Sequence, residues 1–160
     1  MEHSHSEPTA EPAAKKSSSL KRRLSQVFWL SFLVLSLAYA WYSFYAPSNE
    51  IAWAADYSEA KQLSAESGKP MIMFFTATWC SPCRIMKRTV WADEAVAEEV
   101  NERFIPLMLY ADDAVAAELF TLYQVNATPV TIITDPEGTV LDYAVGKVDK
   151  PAFLELLAKQ

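Results

Sequence analysis

Hydrophobic and polar positions divide the chain into a polar head, an apolar belt and a long mixed segment. The belt, Leu24 to Ala46, is mostly apolar and carries no charge. A membrane-spanning helix needs ~20 such residues. Trp29 lies near one end of the belt, and Trp41, Tyr42, Phe44 and Tyr45 crowd the other, where amphipathic rings favour the headgroup level. Pro47 then stops the helix. After the belt the apolar positions fall into short runs and helical spacings. Ile51-Ala52-Trp53 reads as a short edge strand. Asp56 to Ser67 reads as a helix capped by Asp56, with Ala60, Leu63 and Ser64 on one face and Gly68 as its stop. Met71 to Phe75 is a continuous apolar run, the signature of a strand covered on both faces.

The same reading places a helix from near Cys83 past Val90 and another over Asp93 to Arg103, with Val96 and Val100 inward. A strand follows over Ile105 to Tyr110. The next helix runs from Ala114 to Tyr123, with Val115, Leu119 and Leu122 on its buried side. Val130 to Thr134 is a β-branched strand, Asp135 to Gly138 a turn, and Val140 to Val145 the return strand of a hairpin. Lys150 to Lys159 is a closing helix that turns Phe153, Leu156 and Leu157 inward. The order β-α-β-α-β-α-β-β-α predicts an α/β domain, a mixed sheet with helices on both faces.

Charge sharpens the division. Residues 1–23 hold Glu2, Glu7 and Glu11, then Lys15, Lys16, Lys21, Arg22 and Arg23. This stretch reads as a disordered cytoplasmic tail, 24–46 as a transmembrane helix, and 47–160 as the folded domain. Basic residues ahead of the belt keep the N-terminus cytoplasmic and put the domain outside. A second reading of the belt is a cleavable leader, because Ala38-Tyr39-Ala40 fits a small-residue cleavage site; it also exports the domain. The whole chain is acidic, with a net charge of −6 and a pI near 4.9, which argues against nucleic acid as a partner. Both histidines, His3 and His5, lie in the tail. The domain therefore has no Ser-His-Asp or Cys-His catalysis and no Cys₂His₂ zinc site of its own. Its three glycines, Gly68, Gly138 and Gly146, are too scattered for a phosphate-binding loop. No metal and no cofactor is expected.

The two cysteines of the chain, Cys80 and Cys83, sit in Trp79-Cys80-Ser81-Pro82-Cys83 between an apolar strand and a helix. Two intervening residues let the sulfurs meet within one helical turn. A helix N-terminus offers unpaired N–H groups to a thiolate and can lower a cysteine pKa to roughly 3.5–7.5. Cys80 is then the nucleophile and Cys83 the residue that resolves a mixed disulfide. Pro82 suits the first helical turn. A zinc site shared across a dimer and an inert structural bridge are the competing readings. Trp79 reads as a rim residue. Arg84 and Lys87 read as a solvated helix face, with tuning of the Cys80 thiolate as the alternative if they lie close, and Tyr110, Asp112 and Asp113 as a strand end and a helix cap.

From about residue 51 onward the chain resembles the thioredoxin superfamily, on two motifs. One is Phe74-Phe75-Thr76-Ala77-Thr78-Trp79-Cys80-Ser81-Pro82-Cys83. The other is Val125-Asn126-Ala127-Thr128-Pro129-Val130-Thr131, similar to the cis-proline loop of that family. The resemblance implies a thioredoxin fold and an active-site surface that includes Trp79, Ser81, Pro82, Thr128 and Pro129. Gly68-Lys69-Pro70, the Val90-Trp91-Ala92-Asp93-Glu94-Ala95-Val96 stretch and Asn101-Glu102-Arg103-Phe104-Ile105-Pro106 look most like extracytoplasmic members that serve disulfide reduction. Phe74 occupies the place of the buried acid of many thioredoxins, and Met108 that of its lysine partner, so the family's proton relay does not carry over. Thr128 resembles the isomerase members. The implied protein is a membrane-tethered thiol-disulfide oxidoreductase. Protein or peptide disulfides would be its substrates and a membrane redox protein its electron donor. An oxidase or isomerase, and a non-catalytic binding module, are the alternatives.

Overall fold

The computed structural model describes residues 17–45 and 47–160 and divides into two units, one ending at Ser43 and one beginning at Phe44. The described part of the first unit is helical, belonging to α1 (Ser17–Phe44), whose last residue falls in the second unit. The stretch Leu20–Phe44 of α1 is long and apolar enough to cross a membrane. At 1.5 Å per residue those 25 residues span about 38 Å against a hydrocarbon core of about 30 Å. Residues 17–23 belong to this helix, which corrects the expectation of disorder up to Arg23. Leu, Lys and Arg are good helix formers, so the helix runs on through Leu20, Lys21, Arg22 and Arg23. Residues 1–16 and Ala46 lie outside the described residues.

The second unit is built on one strand. β1 (Met71–Thr76) is buried at all six positions. Ile72 and Phe74 enter one core, and Met71, Met73 and Phe75 enter the core on the opposite face, as the period of two requires. β2 (Ile105–Tyr110) pairs parallel to β1, with Phe74 opposite Met108. β3 (Val130–Thr134) pairs antiparallel on the other side, with Phe75 opposite Val130, and β4 (Val140–Val145) completes the order β2-β1-β3-β4. On one face lie α3 (Ser81–Met86), the π-helical segment Lys87–Trp91 that prolongs it, α4 (Glu94–Arg103) and α6 (Lys150–Ala158). On the other lie α2 (Tyr57–Ser67) and α5 (Ala117–Leu122). Trp91 anchors the first face, fully buried with ring centroids 4.9 Å from Trp53, 5.1 Å from Phe74 and 4.8 Å from Phe153.

Helix ends follow local chemistry. The Asp56 carboxylate accepts the Glu59 N–H at 2.9 Å, and Gly68, at φ 72°, closes α2 in a left-handed conformation that glycine adopts freely. The Asp149 carboxylate accepts the Ala152 N–H at the start of α6, whose Phe153, Leu156 and Leu157 are buried.

Two expectations are corrected. Ile51-Ala52-Trp53 is not a strand; an isolated Ala54–Leu107 bridge follows it, and Ile51 and Trp53 pack into the core. Side chains satisfy its backbone instead. Asn49 accepts the Ile51 N–H and the Trp53 indole N–H, while Asn101 accepts the Ala52 N–H and donates to the Glu50 carbonyl. Helix α5 begins three residues later than expected. The Asp113 carboxylate accepts the Val115 N–H and holds the preceding stretch as turns, which resets the helical phase. Val115 and Leu122 are 79% and 64% exposed, while Ala116 and Leu119 are buried.

The observed phase of α5 has a measurable consequence. Leu119→Ala is expected to lower unfolding stability by about 2–5 kcal/mol, whereas Val115→Ala should stay within about 0.5 kcal/mol of the parent. Denaturant midpoints at unchanged slope would show this; equal losses would restore the phase read from the sequence.

Candidate redox site

The buried strand β1 ends at Thr76, and four residues later the chain enters α3 at Cys80. Cys80 is the N-cap, extended at φ −77° and ψ 103°, and its Sγ accepts the Cys83 N–H at 3.2 Å. Pro82 occupies the first turn, where the missing N–H costs nothing. Cys80 and Cys83 form a disulfide with Cα atoms 5.3 Å apart. Cys83 is fully buried, Cys80 is 3% exposed, and Trp79 beside it is 71% exposed. Both cysteines are thus buried, Cys80 at the helix start beside the exposed Trp79 and Cys83 within the first turn. Ser81 and Pro82 are exposed at the helix start.

Thr128 and Pro129 come to the same end of the sheet. The Thr128–Pro129 peptide is cis, and Pro129 immediately precedes Val130, which pairs with Phe75 near the end of β1. The Gly146 N–H donates to the Pro129 carbonyl at 2.8 Å, tying the loop to the end of β4. Pro129 is buried and Thr128 half-buried, with its hydroxyl oxygen free of hydrogen-bond partners among the described residues. The sheet thus gathers the Trp79–Cys83 stretch and the Thr128–Pro129 pair at one rim.

The floor of the site is apolar. Phe74 is fully buried in the same core as Cys80 and Cys83, together with Met86 and Trp91, and its register partner Met108 packs against that core. The buried polar side chains among the described residues are Ser64, Thr76, Thr131 and Thr134, none of them an acid or a base. Burial without a charged partner disfavours ionisation of a thiol, so the apolar floor opposes a thiolate at Cys83.

The rim holds residues whose part the sequence conceals. Asp112, in the connection from β2 to α5, accepts the Thr78 N–H at 3.2 Å. Bonds from the Thr78 hydroxyl and then its amide hold the Asp112 carboxyl below the usual carboxylate range, and the charge of Lys87 adds to this. Arg84 donates to the Thr78 carbonyl and to the Ser81 hydroxyl, each at 3.1 Å. Lys87 donates to the Tyr110 hydroxyl at 3.1 Å. Arg84 and Lys87 are thus not a solvated face. Asp113 accepts the Val115 N–H in the turns ahead of α5, whose N-cap is Ala116 and not Asp113, whereas Asp112 braces the loop ahead of Cys80. No local spacing could reveal that brace, since 34 positions separate Thr78 from Asp112. For Arg84 the sequence signals were its positive charge and its place directly after Cys83, not its bonds to Thr78 and Ser81.

Comparison with known proteins gives a consistent picture. Residues 57–160 match the model of a family described as a thioredoxin-like domain. Over 99 residues the chain is 34% identical to the thiol:disulfide interchange protein DsbD 2 of Pseudomonas aeruginosa, covering 59% of this chain and 17% of that protein. The solution structure of a putative disulphide-isomerase from Bacteroides thetaiotaomicron superposes with a TM-score of 0.58 at 30% identity, covering 71% of this chain and 93% of that one. The oxidised C-terminal domain of DsbD from Neisseria meningitidis gives 0.57 at 23% identity, covering 68% and 98%. The chain spans less than a quarter of the length of the first curated relatives it matches. A four-stranded mixed sheet with helices on both faces, a Cys-x-x-Cys pair at a helix start and a family match over residues 57–160 lead to one conclusion: the chain belongs to the thioredoxin-like family and has the thioredoxin fold.

Proposed function

We propose that the protein is a membrane-tethered thiol-disulfide oxidoreductase that reduces disulfides of extracytoplasmic proteins. The observation that carries this reading is the Cys80–Cys83 disulfide at the start of α3, buried beneath the exposed Trp79, Ser81 and Pro82. The Cys80 thiolate attacks one sulfur of a substrate disulfide and releases the other as a thiolate. Cys83 then gives up its proton and attacks Cys80, which frees the second substrate sulfur and closes the Cys80–Cys83 bond. Two electrons pass to the substrate. Backbone groups at Thr128 and Pro129 offer pairing to an extended substrate segment. Trp79, Ser81 and Pro82 shape the surface it approaches.

Two features support reduction over oxidation. No histidine lies between the cysteines to stabilise the thiolate, and the floor at Phe74 and Met108 is apolar. Turnover then needs a dithiol donor, which outside the cytosol means another membrane redox protein. α1 serves as the anchor, and the basic residues ahead of its uncharged stretch from Leu24 keep the N-terminus cytoplasmic and the domain outside, periplasmic in a Gram-negative cell. Likeness to the putative disulphide-isomerase of Bacteroides, together with threonine before the cis-proline, favours isomerase action as the second reading.

Trapping tests the chemistry. Cys83→Ser is expected to accumulate mixed disulfides on Cys80, and Cys80→Ser to accumulate none; equal trapping by both variants would refute the assigned roles. Fusion tests the topology. A reporter joined after Gln160 should be active only when it matures outside the cytoplasm, and activity inside would refute the placement.

A further inference from the structure

Arg84 is half-buried on α3, and its guanidinium bonds to a backbone carbonyl and a hydroxyl. Its side chain reaches back over the first turn, the direction in which helical side chains lean. There its two Nη atoms part. One donates to the Thr78 carbonyl and the other to the Ser81 hydroxyl. These two acceptors bracket Cys80 in the chain. The same Thr78 gives its N–H to Asp112, so a carboxylate holds one side of the residue and a guanidinium the other. The segment that delivers Trp79 and Cys80 is thus fixed from outside β1 and α3 alike. A planar fork can hold two acceptors at set angles, which a lysine ammonium on a flexible stem does not reproduce.

We infer that Arg84 is the positioning residue of the redox loop, holding the Thr78–Ser81 segment and keeping a fixed positive charge beside Cys80. This inference rests on the reading of Cys80 as the nucleophile. Reducing the disulfide adds two electrons and one proton, leaving Cys80 as a thiolate and Cys83 as a thiol. In the reaction with dithiothreitol, the donor loses two electrons and two protons as it closes to its cyclic disulfide. One proton goes to Cys83 and the other to solvent. The charged groups on the elements around the loop are Arg84, Lys87 from the π-helical segment, Asp112 and Asp113 from the β2–α5 connection, and Lys147, which follows Gly146 beside Pro129. The loop ahead of β3 supplies none. Lys87 is engaged with Tyr110, Asp112 with Thr78, and Asp113 with Val115. Arg84 alone is bonded on both sides of Cys80. Its charge favours the thiolate product, and its fork fixes where that thiolate forms.

The test is the pH profile of Cys80 alkylation by iodoacetamide in the reduced full-length chain in detergent, with the modified residue located by mass spectrometry. Arg84→Gln should raise the midpoint by about one pH unit. With the thiolate destabilised tenfold, equilibration against dithiothreitol should move by about 30 mV toward more reducing values. Arg84→Lys keeps the charge without the fork and should recover less than half of the shift. Should Arg84→Gln fail to fold, Arg84→Lys alone must still titrate above the parent. A midpoint unchanged in Arg84→Gln, or wholly restored in Arg84→Lys, would overturn the inference. Failure of the parent itself to exchange with dithiothreitol would refute the oxidoreductase reading instead.

Discussion

Burial of β1 on both faces is the constraint from which the rest of the domain follows. Six consecutive buried side chains give the strand no solvated face, so helices must cover both sides of the sheet and strands must flank it on both edges. A strand so enclosed cannot shift register without driving an entire set of side chains into the wrong core. Its C-terminal end is therefore a fixed point, and the redox loop hangs from it. The same enclosure makes the floor beneath the sulfurs apolar. Phe74 belongs to the strand that anchors the domain and to the wall against which Cys83 rests.

That double duty shapes the chemistry. A polar or acidic side chain at position 74 would ease proton movement at Cys83 but would have to be buried among Trp91, Met86 and Phe153. With phenylalanine there, stability and a protonated Cys83 go together, and what electrostatic tuning the loop has must come from its rim. Arg84 and Asp112 stand there, bonded to Thr78 rather than to the sulfurs. The domain thus separates a rigid, uncharged interior from a charged brace at the surface.

Much of this was legible in the sequence because it rests on short-range rules. A continuous apolar run marked β1, Asp and Gly marked the ends of α2, and two cysteines two residues apart between a strand and a helix marked the site. The cis-proline loop was legible only through family resemblance. What escaped depends on contacts between distant segments. Ile51-Ala52-Trp53 has strand-like composition, but Asn49 and Asn101 take the backbone bonds a ladder would use. The phase of α5 turned on the side chain of Asp113, and the brace on Thr78 joins segments that only the folded sheet brings together.

The central claim is that an apolar floor and a histidine-free Cys-x-x-Cys pair make a reducing couple. The reduction potential of Cys80–Cys83 tests it most directly, measured by equilibrating the full chain with glutathione or dithiothreitol and alkylating the free thiols. The account predicts a value nearer to the ~−270 mV of thioredoxin than to the ~−120 mV of the strongly oxidising members. A potential above about −180 mV, the level of protein disulfide isomerase, would contradict it.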